Sequence, residues 1–116
     1  MKFQNPIPEH RFKIHTANGH KFVKINDIIY CRAEGNYTEF ILEGNSKPVI
    51  ACGNLKCHEQ QLHEFDMLRI HKSYIVNKAH VTEYIRDKSG DTGGKIIMSN
   101  GESVPLSKSH KSEFLE

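Results

Sequence analysis

Along Arg69-Ile70-His71-Lys72-Ser73-Tyr74-Ile75-Val76-Asn77, apolar side chains at 70 and 74–76 are set among cations, hydroxyls and amides. Two kinds of chemistry use such residues. Cations and short hydroxyls on a rigid backbone hold phosphate, leaving longer side chains to reach base edges. A histidine and a serine two apart share a strand face and could begin a Ser-His-carboxylate triad. Residues 67–82 carry Arg69, Lys72 and Lys78 with His71 and His80 and no acid, a local charge of +3 in a chain whose formal net charge is +2. With 16 Lys and Arg against 14 Asp and Glu overall, the remainder is close to neutral, so basicity is concentrated here. A second acid-free run, residues 103–112, holds Lys108, His110 and Lys111 among four serines. Brought together, the two runs would make a footprint for a phosphate backbone; apart, they are ordinary solvated segments.

The catalytic option lacks its other parts. Asp66 or Glu83 could complete a triad on paper, but there is no nucleophile elbow, Gly-rich oxyanion loop or phosphate-cradling loop. His71 is read instead as a partly buried histidine holding a neighbouring carbonyl, and the protein as not an enzyme. Cys52, Cys57, His58 and His63 invite a metal site, but no CxxC pair is present and a helix around Cys57 would spread the groups, so neither metal nor cofactor is expected. Three cysteines, an odd number, fit reduced thiols. Lys72, Ser73, Lys78, Lys108, Ser109 and Lys111 meet the specification for phosphate and base contacts. Trp is absent and the other aromatics fall mainly inside strand-like runs, so stacking on unpaired bases is poorly served and duplex DNA is favoured over RNA.

The elements that must position these residues belong to one domain, which is what 116 residues allow. The 37% hydrophobic content, a mean hydropathy of −0.58 and the absence of any apolar run near ~18 residues argue against a membrane span. The start lacks the apolar core of a secretion signal, so a cytoplasmic location is expected. Residues 1–10, with two of the four prolines, are read as a lead-in or linker remnant, and 11–116 as the domain.

Strand-like runs at 11–16 and 20–25 flank Ala17-Asn18-Gly19, a hairpin turn. A strongly apolar run at 28–33, a β-branched and aromatic run at 37–42 and a short one at 48–51 make a meander. One clear helix spans about 54–64, capped by Asn54, with Leu55, His58, Glu59 and Leu62 on one face and Phe65 closing the stripe. Strands at 67–70, 73–76 and 81–86 follow, then a long loop at 87–94 and a hairpin of 95–98 with 102–105, where Pro105 confines the last strand to an edge or end. The tail 107–115 could form a short helix capped by Ser107.

Asp27-Ile28-Ile29-Tyr30, Ala33-Glu34-Gly35-Asn36-Tyr37, Gly53-Asn54-Leu55-Lys56 with Leu62, the run from Phe65 to Asn77, and Asn100-Gly101 leading to Val104-Pro105-Leu106-Ser107-Lys108 together resemble the LytTR DNA-binding domain of bacterial response regulators. The likeness covers residues 12–115 in order and spacing. It implies a mainly all-β fold of about ten short strands in three small antiparallel sheets with one short helix, whose loops enter successive major grooves of a bent site. It also implies base reading at Asn36, Tyr37 and Thr38, at Lys72, and at Lys108 and Ser109. Arg69, His71, Ser73, Lys78, Ser107, His110 and Lys111 are then candidates for phosphate contact or loop ordering. Where the family often has Arg after Ser, this chain has Lys108-Ser109; Lys lacks the bidentate fork that reads guanine, which implies weaker base selectivity there. The expected partner is double-stranded DNA, bound as two copies on a repeated site; the chain is then either a stand-alone regulator or part of a longer parent protein with a receiver domain, in which case residues 5–9 would be a cut linker. The alternative is a small β-rich interaction module that docks an acidic partner along an edge strand.

Overall fold

Short β-branched and aromatic runs, punctuated by Gly, Asn, Asp and Pro, leave the chain few options other than strands joined by turns. The computed structural model describes residues 11–45 and 47–116, so the lead-in expected over 1–10 lies outside the described residues. β1 (Arg11–Thr16) and β2 (Gly19–Lys24) form a hairpin, and β3 (Ile28–Glu34), β4 (Tyr37–Leu42) and β5 (Val49–Ala51) the meander. Helix α1 (Leu55–His63) leads to β6 (Met67–His71), β7 (Tyr74–Asn77), β8 (Val81–Ile85), β9 (Lys95–Met98), β10 (Ser103–Pro105) and a terminal helix α2 (Lys111–Leu115). Single 3-10 turns at Ile25–Asp27, Lys78–His80 and Lys108–His110, absent from the sequence reading, join the elements.

Among the described residues all pairing is antiparallel, in three sheets: β1-β2, β10-β9-β8 and β5-β4-β3-β7-β6. β10, with Pro105, lies at an edge, where a residue without an N–H is tolerated. The meander does not stand alone, because β7 adds to the free side of β3 and makes it the central strand. The core has two parts, one on each face of the five-stranded sheet. Phe12 and Ile14 of the hairpin and Leu55 and Leu62 of α1 pack with Ile28, Cys31, Phe40, Met67 and Ile75. Ile29, Tyr30, Leu68, Ile70 and Val76 meet Ile96, Met98, Val104 and Leu106 of the smaller sheet. This explains the run 28–31, buried throughout: a register shift between Ile28 and Tyr30 sends Ile29 and Tyr30 to one core while Ile28 and Cys31 face the other.

Residues 69–77 span the two strands expected at 67–70 and 73–76, and His71 and Ser73 do not share one strand face. The two strands form a β6-β7 hairpin turning at Lys72-Ser73, and Ile75 and Val76 enter different cores. Asn54 is the N-cap of α1 as expected, its side-chain carbonyl accepting the Cys57 N–H at 3.1 Å. Ser107 does not cap the tail helix. It precedes a 3-10 turn, and its hydroxyl pairs with the His110 ring instead of a main-chain N–H.

Candidate nucleic-acid interface

β3 runs antiparallel to both β4 and β7, so the β3-β4 turn at Gly35-Asn36 and the β6-β7 turn at Lys72-Ser73 emerge at the same end of the sheet. The Ala33 N–H donates to the Ser73 carbonyl at 2.9 Å and holds them side by side. The Ser107 N–H donates to the Ile70 carbonyl at 2.8 Å, which brings residues 107–111 against β6. The two acid-free windows therefore meet, although 37 residues separate Ile70 from Ser107 in the sequence. Asn36, Tyr37, Lys72, Lys108 and Ser109 are exposed at this end, Ser73, Ser107, His110 and Lys111 partly so. Tyr37 is 52% exposed, unlike the strand-buried aromatics that the sequence pattern suggests.

Two expected site residues are not brought there. Thr38 is fully buried and its hydroxyl donates to the Gly53 carbonyl at 3.0 Å, so it cannot reach a base; alternation along β4 turns it inward directly after Tyr37. Lys78 lies past the far end of β7, in the 3-10 turn beside Asp66, whose carbonyl accepts its N–H at 3.4 Å. Lys56, missed in the sequence reading, belongs with the site. The bond from Thr38 to Gly53 sets the N-terminal turn of α1 beside the β3-β4 turn, and Lys56 is exposed there. The Gly53-Asn54 cap was its signal: a helix starting at a sheet end places its first side chains at that end.

Arg69 is committed within the protein. Its Nε donates to the His71 carbonyl at 3.0 Å, one Nη to the Lys72 carbonyl at 2.6 Å and the other to the Glu59 carboxylate at 2.7 Å. A guanidinium presents donors in a fixed fork, so these bonds lock the β6-β7 turn to α1. His71 supports the turn from inside. The Ser73 N–H donates to its Nδ1 at 3.1 Å, so the ring accepts an amide proton where a carbonyl partner was expected. Partial burial lowers its pKa, and Lys72, His110 and Arg69 push the same way, all favouring the neutral ring that this bond requires. Its Tyr74 neighbour meets it edge-on with ring centroids 5.7 Å apart. The paper triad does not assemble: His71 bonds the main chain of Ser73, and Asp66 sits at the other end of the sheet. At residues 52–63, His58 Nε2 bonds the main-chain carbonyl of Cys52 at 2.9 Å, not its thiol.

The third segment is braced from behind. Asp87 accepts from the amides and hydroxyls of Ser89 and Thr92, which hold its pKa down at about 2 and fix the loop between β8 and β9. The Gly93 N–H donates to the Leu106 carbonyl and the Leu106 N–H to the Gly94 carbonyl, both at 3.0 Å. A Cβ on Gly93 would come within 2.6 Å of the Leu106 and Ser107 carbonyl oxygens, so only glycine allows this approach.

A β framework that fixes two cation- and hydroxyl-bearing segments beside the Asn36-Tyr37 turn marks a nucleic-acid-binding domain. The chain belongs to the LytTr DNA-binding domain family, whose model matches residues 18–116. It is 32% identical over 91 residues to the CO-responsive transcriptional regulator RcoM of Rhodospirillum rubrum, covering 76% of this chain and 36% of that protein. It is 26% identical over 108 residues to the sensory transduction protein LytT of Bacillus subtilis, covering 91% of this chain and 42% of that one. The chain thus spans about two-fifths or less of the length of these curated relatives. Among solved structures it is similar to the LytTr DNA-binding domain of a Bacillus cereus response regulator, with a TM-score of 0.75, 26% identity, and coverage of 91% of this chain and 94% of that one. Among the described residues no helix is long and apolar enough to cross a membrane.

Proposed function

We propose that this domain binds a specific double-stranded DNA site as the output module of a transcription regulator, laying its loops into successive major grooves. The observation that carries the reading is the convergence of the Asn36, Lys72 and Ser107–Lys111 segments at one end of the five-stranded sheet. Asn36, Tyr37, Lys72, Lys108 and Ser109 supply base contacts, with Lys72 foremost because it is exposed at the tip of a turn whose carbonyl is clamped. Ser73, Ser107, His110, Lys111 and Lys56 face phosphates, whereas Arg69 and His71 order the loop. Neither Thr38 nor Lys78 has a part. The domain acts as two copies on a repeated site and receives its signal from another domain, such as a receiver, of a longer parent protein. In support, its relatives are regulators of more than twice the matched length. The family favours this reading over an interaction module for acidic proteins.

The test selects a duplex from a randomised pool and titrates binding against salt. Each neutralised phosphate contributes about −0.9 to the slope of log K against log salt. A steep slope is expected, and a flat one sinks the proposal. Lys72→Ala should weaken the selected duplex about tenfold more than random DNA, the scale of a lost base contact. Equal losses on both would reduce Lys72 to a backbone contact.

A further inference from the structure

The reading loops leave unused a third acid-free basic segment, with more Lys and Arg than either of the two windows above. Residues 11–26 hold four Lys and Arg and no acid. In the β1-β2 hairpin Arg11 pairs with Lys24, Lys13 with Phe22 and His15 with His20, and cross-strand partners point to the same side. Phe12 and Ile14 turn inward to the core. The outward face thus carries Arg11, Lys13 and Lys24 together with His15 and His20, whose rings stack with centroids 4.8 Å apart. Phe22 sits among them, 59% exposed.

We propose that this face grips the backbone of duplex DNA flanking the site read by the loops; the inference rests on the DNA-binding reading above. Continuity with the interface supports duplex DNA over other polyanions. The Cys52 N–H donates to the His15 carbonyl at 2.8 Å, and Gly53, the next residue, holds the Thr38 hydroxyl. The His15 end of the hairpin is therefore joined through residues 52–53 to the β3-β4 turn and to Lys56. From there the cations run outward along β1, whose six residues extend about 20 Å, roughly the span of six phosphates on one strand. Phosphates meet Lys13 and Arg11, and the apolar ring of Phe22 packs on a deoxyribose between them. With histidine rings stacked on each other, not free to receive bases, the face is less suited to an unpaired strand. It contributes affinity without sequence preference, because cations on a strand face reach backbone and no base edge.

The experiment uses the full chain, the selected duplex trimmed to the footprint of the loops, and the same duplex lengthened by about one helical turn on each side. Wild type should bind the longer duplex more tightly and with a steeper salt slope. Arg11→Ala combined with Lys13→Ala should abolish that advantage and lower the slope on the long duplex by about 1.8, two phosphate contacts' worth, with the trimmed duplex bound as before. Lys13→Glu should turn the advantage into a penalty. Both positions are exposed, and an unchanged melting temperature confirms that the variants fold. Equal slopes for wild type on the two duplexes, or equal losses on both in the double variant, overturn the proposal; so does unchanged binding throughout, which would leave the face to an acidic protein. Failure of wild type to prefer the selected duplex over random DNA would instead bring down the DNA-site reading itself.

Discussion

Arg69 carries a charge beside the reading turn yet spends its donors on the protein, and a charge count cannot distinguish these two duties. They predict opposite responses to its partner. If Arg69 were a phosphate contact held back by Glu59, Glu59→Ala would free it and tighten DNA binding. As a clamp on the His71 and Lys72 carbonyls it should do the reverse: Glu59→Ala and Arg69→Ala each weaken the selected duplex about fivefold, roughly 1 kcal/mol, and random DNA less. Tighter binding by Glu59→Ala would refute the clamp. His71 carries a pH prediction. Its folded pKa lies below the ordinary 6.5, so the folded state binds its proton less readily than the unfolded chain. Stability is then complete above about 6.5 and lost as pH falls through the lowered value. Wild type should lose thermal stability relative to His71→Gln between about pH 7 and pH 5, and parallel pH profiles would remove His71 from the turn's support.

At the scale of elements, the loop between β8 and β9 opens at the end of the small sheet where β10 leads into the third reading segment, and its glycines touch that backbone. Gly93→Ala must push Leu106 and Ser107 aside, since both carbonyl oxygens stand where the methyl would go. Overpacking of this kind costs about 1–3 kcal/mol. The expected result is a lower melting temperature and displaced amide resonances over residues 105–111, with loss of selective DNA binding. Unmoved resonances there would show that the brace does not transmit. The helices matter less for reading: α1 supplies Glu59 and Lys56 and a face for one core, and α2 extends the third segment.

At the scale of the whole molecule, the framework depends on joining layers on both faces of one sheet. Asn77, 2% exposed, ties the connections together: its side-chain amide donates to the Ile28 carbonyl at 2.9 Å and the Ile25 carbonyl at 3.4 Å, and its oxygen accepts the Ala79 N–H at 3.0 Å. Asn77→Ala leaves these buried groups unpaired, costing about 2–3 kcal/mol. The denaturant midpoint should fall accordingly while the salt slope of DNA binding stays unchanged where the protein remains folded. A midpoint within error of wild type would mean that other groups satisfy those carbonyls. The closing residue of the RIHKSYIVN run thus serves the fold, and the middle of the run forms the exposed turn at Lys72.

Local patterning alone determined most elements of this protein. The Asn18-Gly19 turn, the Asn54 cap, the strand at 37–42 and the edge position of Pro105 each follow from short-range constraints on φ, on hydrogen-bond donors or on side-chain branching. The motif from Arg69 to Asn77, set in its wider spacing, also marked the family. Only the tertiary structure decided which residues meet the DNA-facing end. Lys78 fell away because a four-residue strand carries the chain to the far end, Thr38 because alternation turned it inward, and Lys56 was gained because one hydroxyl ties α1 to β4. The basic face of the hairpin was written in the sequence as scattered charges, and cross-strand register made it a surface. Position at a sheet end and choice of face depend on which strands pair across long separations, an outcome settled by two-sided burial of the central strands and not by any local residue preference.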